Sequence, residues 1–134
     1  RLRAVLLRVY TAYMAAAQRL LEQYGATADP WMTLVGYFNS MRELGGMRRV
    51  VDDSVRTRLM RMDARGLSKR FIDPLSIEEL TSRKGAADIP KILDRLEAGF
   101  SGAGETERSK DFARRPLDVV LATNMISVGV DVSR

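Results

Sequence analysis

The sequence contains no cysteine and no histidine. Those two absences exclude disulfide frameworks, thiolate nucleophiles, Ser-His-Asp triads and the usual zinc ligand sets. Any chemistry falls to carboxylates, arginine, lysine, hydroxyls and backbone amides, and no metal site is expected. With only 4 prolines and 10 glycines in 134 residues, a collagen-like repeat and a low-complexity linker are excluded as well. No uncharged apolar run reaches the roughly 18 residues that a bilayer-spanning helix needs. The opening residues lack a signal-peptide cleavage pattern and are interrupted by Arg3, Arg8 and Arg19. We therefore expect a cytoplasmic protein with no membrane partner.

What is present suits one folded domain. The chain is 46% hydrophobic and 29% charged, with a net charge of +5, and a chain of this size buries roughly two-thirds of its unfolded surface without a metal or disulfide staple. It opens without methionine inside a helical pattern, and reads as a piece of something longer. Leu2, Leu6, Val9, Tyr13, Ala16 and Leu20 recur at steps of three and four, with Val5, Ala17, Leu21 and Tyr24 broadening the stripe. That spacing predicts an amphipathic helix over residues 1–25, closed by Gly25 and packed through the stripe on a larger core.

Met32 to Phe38 is nearly continuous apolar sequence, suited to a strand buried on both faces of a parallel sheet. Asn39-Ser40 then offers capping oxygens to a helix that starts at Met41, is interrupted at Gly45-Gly46, and turns Val50, Val51, Val55, Leu59 and Met62 inward. Asp73-Pro74 marks a turn, Leu75 to Ser82 a short strand, and Asp88 the cap of a helix with Pro90 in its first turn and Ile89, Ile92, Leu93 and Leu96 on its buried side. Gly99 closes that helix. Phe100 to Arg115 reads as a mobile surface loop, and Leu117 to Ala122 as another buried strand. Strands alternating with helices predict an α/β fold with a parallel sheet flanked by helices.

Charge is concentrated. Residues 42–70 hold nine basic and four acidic side chains, a surplus equal to the net charge of the whole chain. Arg56, Arg58 and Arg61 are its candidate docking face, since guanidinium groups suit bidentate phosphate contact. In an open parallel sheet, ligands collect beyond the carboxyl ends of the strands, which singles out Asn39-Ser40, Thr81-Ser82-Arg83 and the residues after Ala122. The last group reads Thr123-Asn124-Met125-Ile126-Ser127-Val128-Gly129-Val130-Asp131. A hydroxyl at a strand tip can hold a phosphate oxygen, glycine permits close approach, and a carboxylate suits sugar hydroxyls or a cation.

Ala122-Thr123, five further residues and Gly129-Val130-Asp131-Val132 resemble motif V in the second RecA-like domain of superfamily-two helicases and translocases. Phe38-Asn39-Ser40 resembles motif IV. Thr33 to Gly46 together with Asn124 to Asp131 is most similar to the helicase subunit of the bacterial DISARM anti-phage system. The resemblance implies a truncated RecA-like parallel sheet over residues 26–134, holding motifs IV to V with motif VI missing, preceded by the long N-terminal helix. It further implies that Thr123, Asn39 and Ser40, with Thr81 and Ser82 at the corresponding middle strand, contact a nucleic-acid backbone. Gly129 and Asp131 would face ATP in the cleft against the first RecA-like domain. DNA is the implied polymer, RNA sharing its phosphate chemistry, and companion defence subunits are implied partners.

Two positions depart from the helicase pattern. Val128 stands where many relatives have arginine and Asn124 where they have aspartate, so contacts made by those groups do not carry over. There is no Gly-x-x-x-x-Gly-Lys-Thr loop and no Asp-Glu strand motif. ATP and magnesium would thus be bound mainly by the absent first domain. No catalytic residue is expected in this stretch, which alone should not hydrolyse ATP. A second reading is a non-catalytic basic α/β module that binds nucleic acid or a protein partner through residues 42–70. A Rossmann-like small-molecule enzyme ranks last, because no Gly-x-Gly-x-x-Gly follows a predicted strand.

Overall fold

The computed structural model describes residues 2–100 and 115–123. Helix α1 runs over Leu2–Tyr24 and ends at Gly25, whose φ of 65° is the left-handed turn that glycine makes without strain. A 3₁₀ stretch, Gly25–Trp31, leads to strand β1, Leu34–Phe38. Helix α2 covers Met41–Val50, a π-helical turn Val51–Val55, and helix α3 Arg56–Leu59, as one continuous rod. After 3₁₀ turns at Met62–Arg65 and Pro74–Ser76 come strand β2, Ile77–Leu80, helix α4, Asp88–Glu97, and strand β3, Val119–Thr123.

The three strands form a parallel sheet in the order β1-β3-β2. The expected α/β parallel architecture and long N-terminal helix are therefore present. Side chains alternate across β3 with the two-residue period of a strand. Val119 and Leu121 join Tyr10, Met14, Leu44, Met47, Val51, Val55 and Leu59 under α1 and the α2–α3 rod. Val120 and Ala122 join Leu80, Ile92, Leu96 and Leu117 under α4 on the other face. The crossover from β1 to β2 uses one face and the return from β2 to β3 uses the other, as right-handed connections require when the chain reverses direction across the sheet.

Several expectations are corrected here. The expected α1 stripe is split: Leu2 is 72% and Tyr13 69% exposed, with Val5, Val9, Leu20 and Tyr24 also exposed, while Ala17 and Leu21 are buried together with Tyr10, Met14 and Ala15. The reason lies in β1. A Cβ at Gly36 would collide with the Tyr10 hydroxyl, so the bare backbone there receives Tyr10 and fixes the rotation of α1. Strand β1 is an edge of the described sheet, with Val35 and Tyr37 exposed rather than covered on both faces. Gly45-Gly46 does not interrupt α2, because buried Leu44 and Met47 hold the helix in place and a Cβ at Gly46 would meet the Arg3 guanidinium at 2.9 Å. Asp88 is the first helical residue rather than a cap. Phe100 is buried against Ala17, Leu21, Ala28 and Met32, and its amide donates to Asp29 Oδ1 at 2.6 Å. The rest of the expected surface loop, 101–114, lies outside the described residues.

The amino ends of the strands are closed by one buried ion pair that composition does not reveal. Arg70 and Asp118 are 2% and 0% exposed. The Arg70 guanidinium donates to Asp118 Oδ1 and the Met32 carbonyl, both at 2.6 Å, and to the Met14 carbonyl at 3.1 Å. Its Cζ lies 5.6 Å from the centre of the Phe100 ring. Asp118 Oδ2 accepts from Ser76 Oγ at 2.6 Å. Arg70, counted above with the basic surface, is thus an internal residue.

Two measurements follow from this packing. Removing one member of a buried pair strands the other charge, so Asp118→Ala should cost about 3–5 kcal/mol, whereas Arg70→Met with Asp118→Leu should recover much of that loss. Urea denaturation of both variants checks it, and a loss below about 1 kcal/mol for the single change would contradict the role of the pair. Burial raises the Tyr10 phenol above its ordinary value of 10.0. The unfolded chain therefore releases this proton first, and the Tyr10 contribution, complete below pH 10, is lost as pH climbs through the raised folded value. Tyr10→Phe should flatten the alkaline decline in melting temperature; an identical decline in both proteins would refute it.

Candidate functional site

All three strands are parallel, so their carboxyl ends share one rim. Thr123, last in the central strand, sits opposite Phe38 of β1, and Ala122 sits opposite Leu80 of β2. Carrying the β2 register on by one residue sets Thr81 beside Thr123, and on the other side Asn39-Ser40 directly follows Phe38, the β1 partner of Thr123. Neighbouring strands lie about 4.8 Å apart, so this rim is roughly 10 Å across. The five residues singled out as strand-tip contacts are gathered at one pole.

Their side chains are not equally available. Asn39 and Ser40 are exposed, and Thr123 is half-buried. Ser40 caps α2: its extended backbone turns the chain, and its Oγ accepts from the Glu43 amide at 3.2 Å. The start of α2 is where the helix dipole favours negative charge, and the Glu43 carboxylate already lies in that first turn and lines the adjoining cleft. Thr81 is fully buried, with its Oγ1 accepting from the Arg83 amide at 3.3 Å and its carbonyl accepting from the Lys84 amide at 3.1 Å. Thr81 therefore shapes the turn, and Ser82 and Arg83 are the exposed groups of that strand end.

Beside the β1 tip, the start of α1 and the start of α2 enclose a cleft of about 660 Å³, with Arg3, Asn39, Ser40 and Arg42 among its walls. Arg3 and Arg42 bring two guanidinium groups to the rim. Sequence reasoning assigned neither of them there: Arg42 follows Ser40 by two residues and was legible as a neighbour, whereas only the folding of α1 over α2 brings Arg3. Gly129 and Asp131, the expected ATP-facing pair, lie outside the described residues. Among the described residues, no cluster of carboxylates is arranged to hold a metal ion.

The basic stretch 42–70 is not one surface. Arg48 is tied to Asp52 at 3.1 Å and to the Ile77 carbonyl at 3.2 Å, Lys69 pairs with Asp63 at 3.7 Å, and Arg70 is internal. The expected trio divides as well. Arg56 is half-buried and donates from Nε to the Ile72 carbonyl at 2.9 Å, while Arg58 and Arg61 remain exposed. The surplus charge is therefore partly consumed in holding the fold together.

With this geometry in view, comparison with known proteins adds one relative. The chain is similar to the DISARM protein DrmA of Bacillus paralicheniformis. Identity is 41% over 137 residues, covering 99% of this chain. The chain spans only 11% of that relative's length. No family model matches the sequence. The stretch similar to DrmA includes every strand of the sheet and every residue of the rim. No helix among the described residues is long and apolar enough to cross a membrane.

The Ser40 cap gives this site a stability readout of its own. Ser40→Ala should lose about 1 kcal/mol, while Ser40→Asp, equally able to cap, should stay within a few tenths of the parent. Chemical denaturation distinguishes the two, and equal losses in both variants would show that the hydroxyl does not act as the cap.

Proposed function

We propose that this chain is part of the motor of a DISARM-type anti-phage system: the second RecA-like domain of an ATP-dependent DNA helicase or translocase. The observation that carries the reading is the rim. Thr123 ends the central parallel strand between Asn39-Ser40 and Ser82, in a stretch whose similarity to DrmA extends over the whole chain. Small hydroxyl and amide groups at strand ends suit phosphate oxygens, and contacts to phosphate carry no base information, so sequence preference should be slight.

In this reading, Asn39, Ser40, Ser82 and Thr123 meet the nucleic-acid backbone, and Thr81 holds the β2 turn that presents Ser82. Arg3 and Arg42 supply positive charge beside them. Gly129 and Asp131 belong to the ATP cleft, whose other wall, with the phosphate loop and the magnesium carboxylates, is the first RecA-like domain of the same protein. ATP closes the two domains and hydrolysis reopens them, moving the rim along the backbone. Companion subunits of the defence system are partners in this reading, and the described residues alone do not hydrolyse ATP.

The reading is tested in the full-length protein. Asp131→Ala should abolish ATP-driven strand unwinding. Thr123→Ala should uncouple hydrolysis from movement, leaving ATP turnover while lowering unwinding by at least about tenfold, a loss of some 1.4 kcal/mol in coupling. Unwinding and ATP hydrolysis are measured in parallel. Wild-type unwinding by both variants would sink the proposal.

A further inference from the structure

Beside the end of the α2–α3 rod is a second cleft, of about 520 Å³, that the rim does not explain. Four arginines line it: Arg8 from α1, and Arg58, Arg61 and Arg65 from the end of α3 and the 3₁₀ turn beyond. No carboxylate is among the lining residues, and all four arginines are exposed. None of them makes an ion pair with another described residue. Arg48, Lys69, Arg70, Lys84, Arg95 and Arg115, by contrast, each have a carboxylate within 4.0 Å.

Helix-end electrostatics explain only part of this arrangement. Arg58 lies in the last turn of α3 and Arg61 just beyond it, where the carbonyl end of the helix favours cations. Arg8 is fifty residues away in sequence, in the middle of another helix, and faces the same space. Such a gathering of like charge is unfavourable until an anion enters.

We propose that this four-arginine cleft binds the phosphodiester backbone of a nucleic acid at a place separate from the strand-tip rim. Linear charge density favours a phosphate chain over an acidic peptide. Residues 58–65, through a helix end and a 3₁₀ turn, extend over about 10–14 Å. A nucleic-acid strand offers one negative charge per about 3.4 Å of rise, so three or four phosphates match the set. An extended acidic peptide turns alternate side chains away and offers one carboxylate per about 6.7 Å on a given face. Planar guanidinium groups also engage phosphate oxygens two at a time. The cleft is remote from the rim along the rod: Arg58 follows Met41, at the rim, by about 26 Å of helix.

The inference does not rest on the motor reading, because it concerns equilibrium binding without ATP. The experiment uses the full-length protein and a fluorescein-labelled oligonucleotide, single-stranded and duplex, with anisotropy titrations between about 50 and 200 mM salt. Arg58→Glu with Arg61→Glu and Arg65→Glu should weaken binding at the lowest salt by at least about tenfold. It should also reduce the slope of log affinity against log salt by about 2 to 3, at 0.7–0.9 per lost phosphate contact. The triple Arg→Gln variant should show the same slope change with a smaller loss of affinity, and decides the matter if circular dichroism shows that the Glu variant has not folded. Thr123→Ala should leave these three contacts in place, so its own effect should add to theirs. Unchanged affinity and slope in the variants would overturn the proposal. So would loss of binding to labelled polyglutamate with DNA binding intact, which would mark a docking face for an acidic protein. Failure of the motor reading appears separately, as wild-type ATP-driven unwinding by both Asp131→Ala and Thr123→Ala.

Discussion

The buried Arg70–Asp118 pair is the constraint on which the arrangement of this molecule depends. One guanidinium group reaches the carbonyls of Met14 in α1 and Met32 before β1, the carboxylate before β3 and the ring of Phe100. The same carboxylate takes the hydroxyl of Ser76 before β2. Asp118 also links the strands through its backbone: its carbonyl accepts from the Leu34 amide at 2.9 Å and its amide donates to the Ser76 carbonyl at 3.0 Å. Every strand is thus tethered at its amino end to one point. A dry charge pair contributes little net stability by comparison with a well-packed apolar substitute, but it is intolerant of misplacement. It therefore specifies which segments meet. With the strand starts sealed, the polar groups that the strands themselves offer to a ligand lie at their carboxyl ends.

Two chemical characters divide the surface accordingly. The rim presents hydroxyls, amides and two arginines around small side chains, a setting in which a phosphate is held by hydrogen bonds of defined direction. The cleft beside the helical rod offers dense positive charge and few directional groups. Attraction of that kind is long-ranged and sensitive to salt, whereas hydrogen bonding at the rim is short-ranged and geometric. Charge spent inside the fold, at Arg48, Arg56 and Arg70, is subtracted from what net composition suggests is available outside.

The order of helices and strands, the parallel sheet, the Ser40 cap and the gathering of strand tips were legible because each follows from local pattern and the right-handed crossover. The face of α1 was not. That helix carries apolar residues around most of its circumference, and its choice is made by Tyr10 settling on Gly36 in a strand far along the chain. The edge position of β1 was equally hidden, since an apolar run does not state how many neighbours a strand has. Asp118 did carry a signal: a lone carboxylate within Leu117–Ala122 demands a buried cation. Nothing local named Arg70 as that cation. Gly129 and Asp131 are legible only through resemblance and lie outside the described residues. Arg65 was counted with the basic stretch 42–70, but Arg8 was not joined to it, because that nearness is a property of the tertiary fold alone.

The π-helical turn at Val51–Val55 deserves a mechanical reading. A π turn accommodates an extra residue within a helix, so everything after it is rotated backwards relative to an uninterrupted α-helix, by about 18° per residue when a turn widens from 3.6 to 4.4 residues. Over five residues the offset approaches a quarter turn. The insertion thereby works like a keyed coupling between two shafts: it lets Leu44 and Met47 upstream and Leu59 downstream engage the same sheet, while setting the angular position from which Arg56 swings inward and Arg58 outward. Shortening the rod by one residue at this turn would preserve its helical character and its composition, yet re-aim every side chain beyond it.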